Sequence, residues 1–389
     1  MADSPEHDSP RWHGATRVVR AGLPAATPGA PYLPGPVFAA PYHAPGDPAA
    51  SPFTYGRFDN PSWSLYERAL ADLEGGPCLL FPSGMAATAA VLATLLPPGG
   101  TLVMPAESYY TTRVLATQQF DGAWFAAQGI RVVQAPTAGD GLRRALEDTA
   151  DDGGVSMLWL ETPTNPGLDV CDIAALSARA HELGALVVVD NTTATPLLQQ
   201  PLALGADVCV VSDTKAMTGH ADLVLGHVAV RNPAHAESLR LWRTRMGVIP
   251  GPMEAWLAHR SLGTLHVRLM QQCRSAMTVA AFLAAHPKVD GVRYPGLPSD
   301  PAHAIASRQM THFGGVMSFA LADADAVARF FAASRLVYEA TSFGGLHTSA
   351  ERRARWGGDA VSDGFVRLSI GLEDADDLIA DLTQALGAV

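Results

Sequence analysis

The sequence predicts an α/β protein: a large domain on a mostly parallel sheet, then a smaller C-terminal α+β domain. Three observations predict it. From about residue 130, short apolar runs alternate with helical segments, the pattern of βαβ units. Three strand ends carry polar clusters, Glu161-Thr162-Pro163-Thr164-Asn165-Pro166, Asp190-Asn191-Thr192 and Ser212-Asp213-Thr214-Lys215. Ligands of parallel sheets bind beyond the carboxyl ends of the strands, so these clusters are expected to share one crevice. A further set of strands and a helix follows a long helix at 267–286. The reading divides the chain into an N-terminal arm at 1–50, a large domain at 51–245 and a small domain at 246–389.

Composition narrows the function classes. The chain has 389 residues, 48% hydrophobic and 17% charged, enough for a large core. No apolar run is long enough to span a bilayer, so no membrane partner is expected. The start, MADSPEHDSPRWHG, is polar and acidic without the apolar centre of a secretory signal. A formal net charge of -11 argues against nucleic acid as the main partner. Cys78, Cys171, Cys209 and Cys273 lack metal-ligand spacing, and no metal is predicted. Unpaired cysteines, with Cys209 inside an apolar strand, fit a reducing, cytoplasmic setting.

The elements follow in order. Residues 1 to about 50 are rich in Pro, Gly and Ala and cannot hold a long helix. Tyr32, Val37, Phe38 and Tyr42 make this an arm with something to bury. The loop Phe53-Thr54-Tyr55-Gly56-Arg57-Phe58-Asp59-Asn60-Pro61 presents a phenol and a guanidinium together, either as phosphate ligands or as an ordinary turn. A helix is expected over 62–73, with its stop at Gly75-Gly76. Cys78–Phe81 reads as a strand and 86–96 as a helix of small residues. Ser83-Gly84-Met85 between them stands at a helix N-terminus, either an anion site or a plain cap. A strand at 101–104 delivers Tyr109, which either stacks on a planar ring or packs into the core.

Strands are then expected at 130–133, 155–160, 185–189 and 207–211, with helices at 141–148 and 172–183. A strand at 223–230 leads away from the site, and helices cover 254–262 and 267–286. In the small domain, strands near 291–294 and 315–320 precede a helix at 324–333. Arg367 alternates with Val366, Leu368 and Ile370 and therefore sits in a strand. It binds a carboxylate bidentately or forms a rim ion pair with Glu373 or Asp374.

Lys215 is the centre of the functional reading. At the mouth of a buried strand it is either a surface lysine after the strand or, with its pKa lowered, a Schiff-base nucleophile. Ser212 and Thr214 beside it carry hydroxyls suited to a phosphate, and Asp190 emerges from four apolar residues and needs a cation. An amine, phosphate donors and a carboxylate for a ring nitrogen match pyridoxal 5'-phosphate, PLP.

The stretches YGRFDNP, FPSGMAAT, ETPTNPGLDVCDI, VVVDNTTATPLLQQPLALGADV, SDTKAMTGHAD and FVRLSIGLEDADDLIADL resemble the trans-sulfuration family of PLP enzymes, from about residue 15 to the C-terminus. The resemblance implies the aspartate-aminotransferase-like fold, type I, and a homotetramer built as a dimer of dimers with shared active sites. It implies that Lys215 carries the cofactor, that Asp190 pairs with the ring nitrogen, and that Ser83, Gly84, Met85, Ser212 and Thr214 hold the phosphate. Tyr55 and Arg57 match the pair that reaches a neighbouring subunit's phosphate, and Tyr109 the tyrosine that stacks on the ring and moves protons. Asn165 and Arg367 match the residues that bind the substrate carboxylate, with Ser342 nearby.

The chain departs from the family pattern after Ser342-Phe343-Gly344-Gly345. His347 stands where the family often has glutamate, and 350–358 reads AERRARWGG. This region shapes specificity for the distal part of the substrate. The activity implied is γ-elimination, with cystathionine γ-lyase first. The alternatives are γ-replacement (cystathionine γ-synthase or O-acylhomoserine sulfhydrylase), methionine γ-lyase, β-elimination, a specialised γ-lyase, or a non-catalytic PLP-binding protein.

Overall fold

The alternating apolar runs form one seven-stranded sheet. The structure is a computed structural model that describes residues 12–117 and 128–389, so residues 1–11 of the expected arm lie outside the described residues. The strands are β1 Cys78–Phe81, β2 Thr101–Pro105, β3 Arg131–Ala135, β4 Met157–Glu161, β5 Leu186–Asp190, β6 Val208–Val211 and β7 Gly226–Val230. Their order is β1-β7-β6-β5-β4-β2-β3. From β6 to β3 all neighbours are parallel, and β7 runs antiparallel to β6 and β1. Central strands buried on both faces read as continuous Val/Leu runs because helices cover both sides.

A second sheet has the order β10-β11-β12-β9-β8. Its strands are β8 Asp290–Arg293, β9 Val316–Ala320, β10 Tyr338–Glu339, β11 Ser349–Arg352 and β12 Phe365–Ser369. Helix Leu265–Ala284 ties the two sheets together. Its first half packs Leu265, Leu269 and Cys273 into the core under the large sheet. Its second half packs Ala276, Val279, Ala280 and Leu283 against the small one. Each such fully buried Leu or Val contributes about 1.5–3 kcal/mol, so the joint is held by its apolar area.

The elements differ from the sequence reading in particular places. Strand β7 starts at Gly226, not at 223, because Leu225 is held by Thr214: its N–H donates to Thr214 Oγ1 at 3.0 Å and its carbonyl accepts from Thr214 N at 3.2 Å. Helices Pro233–Met246 and Ala375–Gly387 are additional. The first has every local signal, with Asn232 capping Ala234 N, Pro at its start and Gly247 at φ 68° as its stop. Strands β10 and β11 fall in a stretch to which the reading gives no element. They are two and four residues long, and only pairing makes them strands, β11 with β12 and β10 with β11.

In the arm, Val37 N donates to Ser62 Oγ at 3.0 Å, and Trp256 Nε1 donates to the Pro34 carbonyl at 2.9 Å. The expectation that its aromatics are buried holds only in part. Tyr42 packs against Phe53 at 5.5 Å, but Tyr32 and Phe38 point outward, 91% and 69% exposed.

Candidate active site

The polar strand ends meet in one cavity of about 450 Å³. It lies beyond the carboxyl ends of β4, β5 and β6, closed on the other side by Ser342, Phe343, Arg353, Trp356 and Arg367 from the small sheet's side. Register places Glu161 opposite Asp190, and Asp190 opposite Val210, so the ends line up.

Lys215 stands at the head of the loop after β6. Its Nζ donates to Ser342 Oγ at 2.7 Å and lies 5.2 Å from the Phe343 ring centre. Burial, then the positive charge of Arg367, lowers its pKa to about 8. The chain contains two lysines, and the other, Lys288, donates to the C-terminal carbonyls of Leu386 and Val389 at 2.9 and 2.8 Å. The loop is pinned from behind. Asp213 Oδ1 meets His227 Nδ1 at 2.8 Å, His227 Nε2 meets Glu74 at 3.1 Å, and all three are buried. Arg268 donates to the carbonyls of Ala216 and Met217 at 2.9 and 3.1 Å.

Ser83, Gly84, Met85, Ser212 and Thr214 all line the cavity. Ser83 Oγ caps the helix Gly84–Leu95 by accepting from Ala86 N at 3.0 Å. The structure shows the cap, and the N-terminus it closes faces the cavity. Gly84 is required by close approach, since a Cβ there would stand 2.7 Å from Ser212 Cβ. The Thr214 hydroxyl donates to the Leu225 carbonyl at 3.1 Å, so its proton is engaged away from the cavity. Ser212 N donates to Thr192 Oγ1 at 2.8 Å, which fixes the loop's entry.

On the floor, Asp190 Oδ1 accepts from Thr192 N at 3.0 Å. Burial raises the Asp190 pKa, with Thr192 hydrogen bonds and the Lys215 charge opposing. Glu161, quoted in the sequence reading only as part of a strand end, is buried beside it. Its Oε2 accepts from Tyr109 N at 2.5 Å and its Oε1 from Asn165 N at 2.9 Å. Burial, then the charge of Asp190, pushes its pKa well up. Glu161 therefore places Tyr109 and Asn165 through their backbones. The signal was present in the sequence, a carboxylate closing an apolar strand as Asp190 closes the next.

On the opposite wall, Arg367 is 3% exposed, so it is no rim residue. Nη1 donates to Asn165 Oδ1 at 2.6 Å, and Nη2 to the Ser342 carbonyl at 2.8 Å and to Glu351 Oε1. Burial lowers its pKa to about 10, against the pull of Glu351. Its ion pair is with Glu351, directly across the strand pair, and not with Glu373 or Asp374. Glu373 instead accepts from Thr348 at 2.7 Å, and Asp374 caps the last helix. Glu351 is missed by the sequence reading because only the β11–β12 register brings it to Arg367.

Three candidate residues are not brought to this chain's cavity. Arg57 donates to the Thr244 carbonyl at 2.8 Å and stacks on Phe58, and Tyr55 packs with it. His347 has a 72% exposed side chain, 4.0 Å from Glu373, edge-on to Tyr338. Its polar ring faces solvent because the turn at 344–348 directs it away. Of the arginines in 350–358, Arg353 lines the cavity, bonded to Glu351 at 2.8 Å and Asp359 at 2.6 Å. Arg352 and Arg355 pair with Asp363 and Glu339 nearer the surface.

Among the described residues no His, Cys, Asp or Glu cluster suits a metal, and no helix is long and apolar enough to cross a membrane. The residues do fit pyridoxal phosphate. The cavity offers an amine of lowered pKa, a helix N-terminus kept open by glycine, and a half-buried carboxylate with no ion pair among the described residues.

Comparison with known proteins agrees. The model of the Cys/Met metabolism PLP-dependent enzyme family matches residues 38–387. A Streptomyces coelicolor protein, provisionally named cystathionine gamma-lyase, is 52% identical over 95% of this chain and 93% of its own. The methionine gamma lyase CalE6 of Micromonospora echinospora is 37% identical, with TM-score 0.88 over 96% of this chain and 99% of its own. Cystathionine gamma synthase of Xanthomonas oryzae, solved with cystathionine, is 34% identical, with TM-score 0.90 over 97% and 98%. A cavity built around Lys215, a family match over nearly the whole chain and the close likeness of fold lead to one conclusion: the chain belongs to the Cys/Met metabolism PLP-dependent enzyme family.

Proposed function

We propose that the protein catalyses γ-elimination on a γ-substituted L-amino acid, with L-cystathionine giving cysteine, 2-oxobutyrate and ammonia. The observation that carries the chemistry is a low-pKa amine, Lys215, facing a buried guanidinium, Arg367, across one cavity. The choice of cystathionine is supported by 52% identity to the Streptomyces coelicolor relative.

In this reading Ser83, Gly84, Met85 and Ser212 would hold the phosphate of PLP and Thr214 would shape the loop beside it, while Asp190 would pair with the ring nitrogen. Bound PLP supplies an electron sink for charge developing at Cα. Arg367 and Asn165 hold the substrate carboxylate, which fixes the Cα–H bond toward Lys215. Lys215, uncharged above about pH 8, accepts the Cα proton at Nζ. Ser342 Oγ, 2.7 Å away, orients that nitrogen. Tyr109, held by Glu161 through its backbone, gives a proton to the departing sulfur as a Cβ proton leaves and the electrons of that C–H bond form the β–γ double bond; water then releases 2-oxobutyrate and ammonia.

We also propose the division into arm, large domain and small domain at 1–50, 51–245 and 246–389, and a cytoplasmic homotetramer. The outward aromatics of the arm, with Tyr55 and Arg57 lying off this chain's cavity, support sites completed by a neighbouring subunit.

Gamma-replacement is the second reading, favoured by the likeness to the Xanthomonas oryzae synthase. Mass spectrometry of products decides. Purified enzyme receives L-cystathionine, L-methionine, or O-acetyl- or O-succinylhomoserine with and without cysteine. Cysteine and 2-oxobutyrate from cystathionine are expected. Cystathionine formed from acylhomoserine, with little lyase activity, overturns the first reading in favour of the second. No turnover of any of them, with PLP bound, overturns both.

A further inference from the structure

Arg367 reaches the cavity with its partners already in place. A carboxylate grips a guanidinium through two adjacent N–H groups, either Nε with Nη2 or Nη1 with Nη2. Both grips need a proton of Nη2. Here both Nη2 protons are engaged, one by the Ser342 carbonyl at 2.8 Å and one by Glu351 Oε1. A bidentate ligand must therefore release one of them.

The Ser342 carbonyl is the less movable. Ser342 has φ 81°, its hydroxyl accepts from Lys215, and the next turn is wedged in place. Gly344 N donates to Ser369 Oγ at 2.9 Å, and a Cβ on Gly344 would stand 2.6 Å from Ala216 N. Glu351 has other donors. Arg353 Nη1 gives a hydrogen bond to Oε1 at 2.8 Å, Trp356 Nε1 one to Oε2 at 3.0 Å, and Arg355 lies 3.5 Å from Oε2. It keeps these when it leaves Arg367, so it stays compensated although fully buried.

We infer that Glu351 is a resident anion of the carboxylate subsite, and that a substrate carboxylate grips Arg367 by exchanging with it while Arg353 and Trp356 retain the displaced side chain. Glu351 thus sets the affinity of the subsite: every carboxylate bears the cost of this exchange, and ligands without further contacts are held weakly. The inference rests on the proposed role of Arg367.

The test measures butanoate, the substrate skeleton without its amine, binding to the PLP-loaded enzyme by calorimetry. In Glu351→Gln butanoate should bind about tenfold more tightly, a shift of about 1.4 kcal/mol. Melting temperature and cofactor absorbance are followed in parallel. Equal or weaker binding by the folded variant overturns the exchange, because a residue that merely holds Arg367 in place would give that result. If Glu351→Gln does not fold, Trp356→Phe decides, since the residue is 57% exposed and loses only the N–H that receives Glu351. Binding about threefold weaker is expected there, and unchanged or tighter binding overturns the inference. Arg367→Gln separates the two levels. Butanoate binding that survives this change refutes Arg367 as the carboxylate site, whereas its loss leaves only the exchange in question.

Discussion

Glu161 and Asp190 stand opposite each other at the ends of adjacent parallel strands, one carboxylate bonded to two backbone amides and the other to one. They divide the work of the cavity floor. Glu161 is committed to Tyr109 N and Asn165 N, while Asp190 keeps an oxygen for a cationic partner.

Glu161→Gln should therefore damage substrate handling more than cofactor retention. An amide offers one acceptor and one donor, so one of the two N–H groups meets another donor. A lost buried hydrogen bond of about 1–3 kcal/mol corresponds to roughly 10–100-fold in kcat/KM. Steady-state kinetics check it, and a kcat/KM within twofold of wild type would sink the positioning role.

Lys215 should be the sole site of cofactor attachment. Borohydride reduction of the loaded enzyme followed by peptide mapping should place the label on Lys215 and leave Lys288 unmodified. Lys215→Ala should abolish turnover and the protein-bound cofactor spectrum. In cofactor-free protein, labelling of Lys215 by an amine-reactive reagent should rise as pH passes through about 8, the value set by burial and Arg367. Rates flat between pH 7 and 9 would contradict that placement.

His227 should make stability depend on alkaline pH. Burial opposes its charge, but Asp213 and Glu74 on either side outweigh burial and raise its pKa from 6.5 to about 10. A folded-state pKa above the unfolded one means that the contribution is full below about pH 6.5 and is lost as pH rises through about 10. Urea titrations of wild type and His227→Gln should therefore differ in slope across that window, with wild type losing more stability. Parallel curves would show that His227 is neutral in the folded protein.

Gly344→Ala should unsettle the site from behind. The residue has φ 79°, and its Cβ would stand 2.6 Å from Ala216 N, next to Lys215. Backbone strain at such a position costs about 1–3 kcal/mol. A lower melting temperature together with faster loss of PLP on dialysis is expected. A variant that retains cofactor like wild type would show that the turn yields without moving Lys215.

Much of the molecule was legible in the sequence because its signals are local. Leu186–Val189 and Val208–Val211 are uninterrupted apolar runs, as strands buried on both faces must be, and each is followed by the predicted polar residues. Ser83 and Asp172 announce their helices by capping chemistry. The order of strand ends along the chain is enough to bring Asp190, Lys215 and the Ser212 loop together. Pro233–Met246 was missed although Asn232, Pro233 and Gly247 mark it just as locally.

Lys215 with its hydroxyl neighbours, Asp190 at the end of its strand, the glycine beside Ser83 and the alternation that makes the sheet parallel were determined by the sequence alone. They depend on residues adjacent in the chain or on the period of a single element. Only the tertiary structure decided the occupant of Arg367, the exclusion of His347 from the cavity and the commitment of Glu161 to Tyr109 and Asn165. Glu351 and Arg367 meet because β11 and β12 pair in one particular register. A shift of one residue would turn Glu351 to the other face, and nothing local in SAERRARW specifies that register.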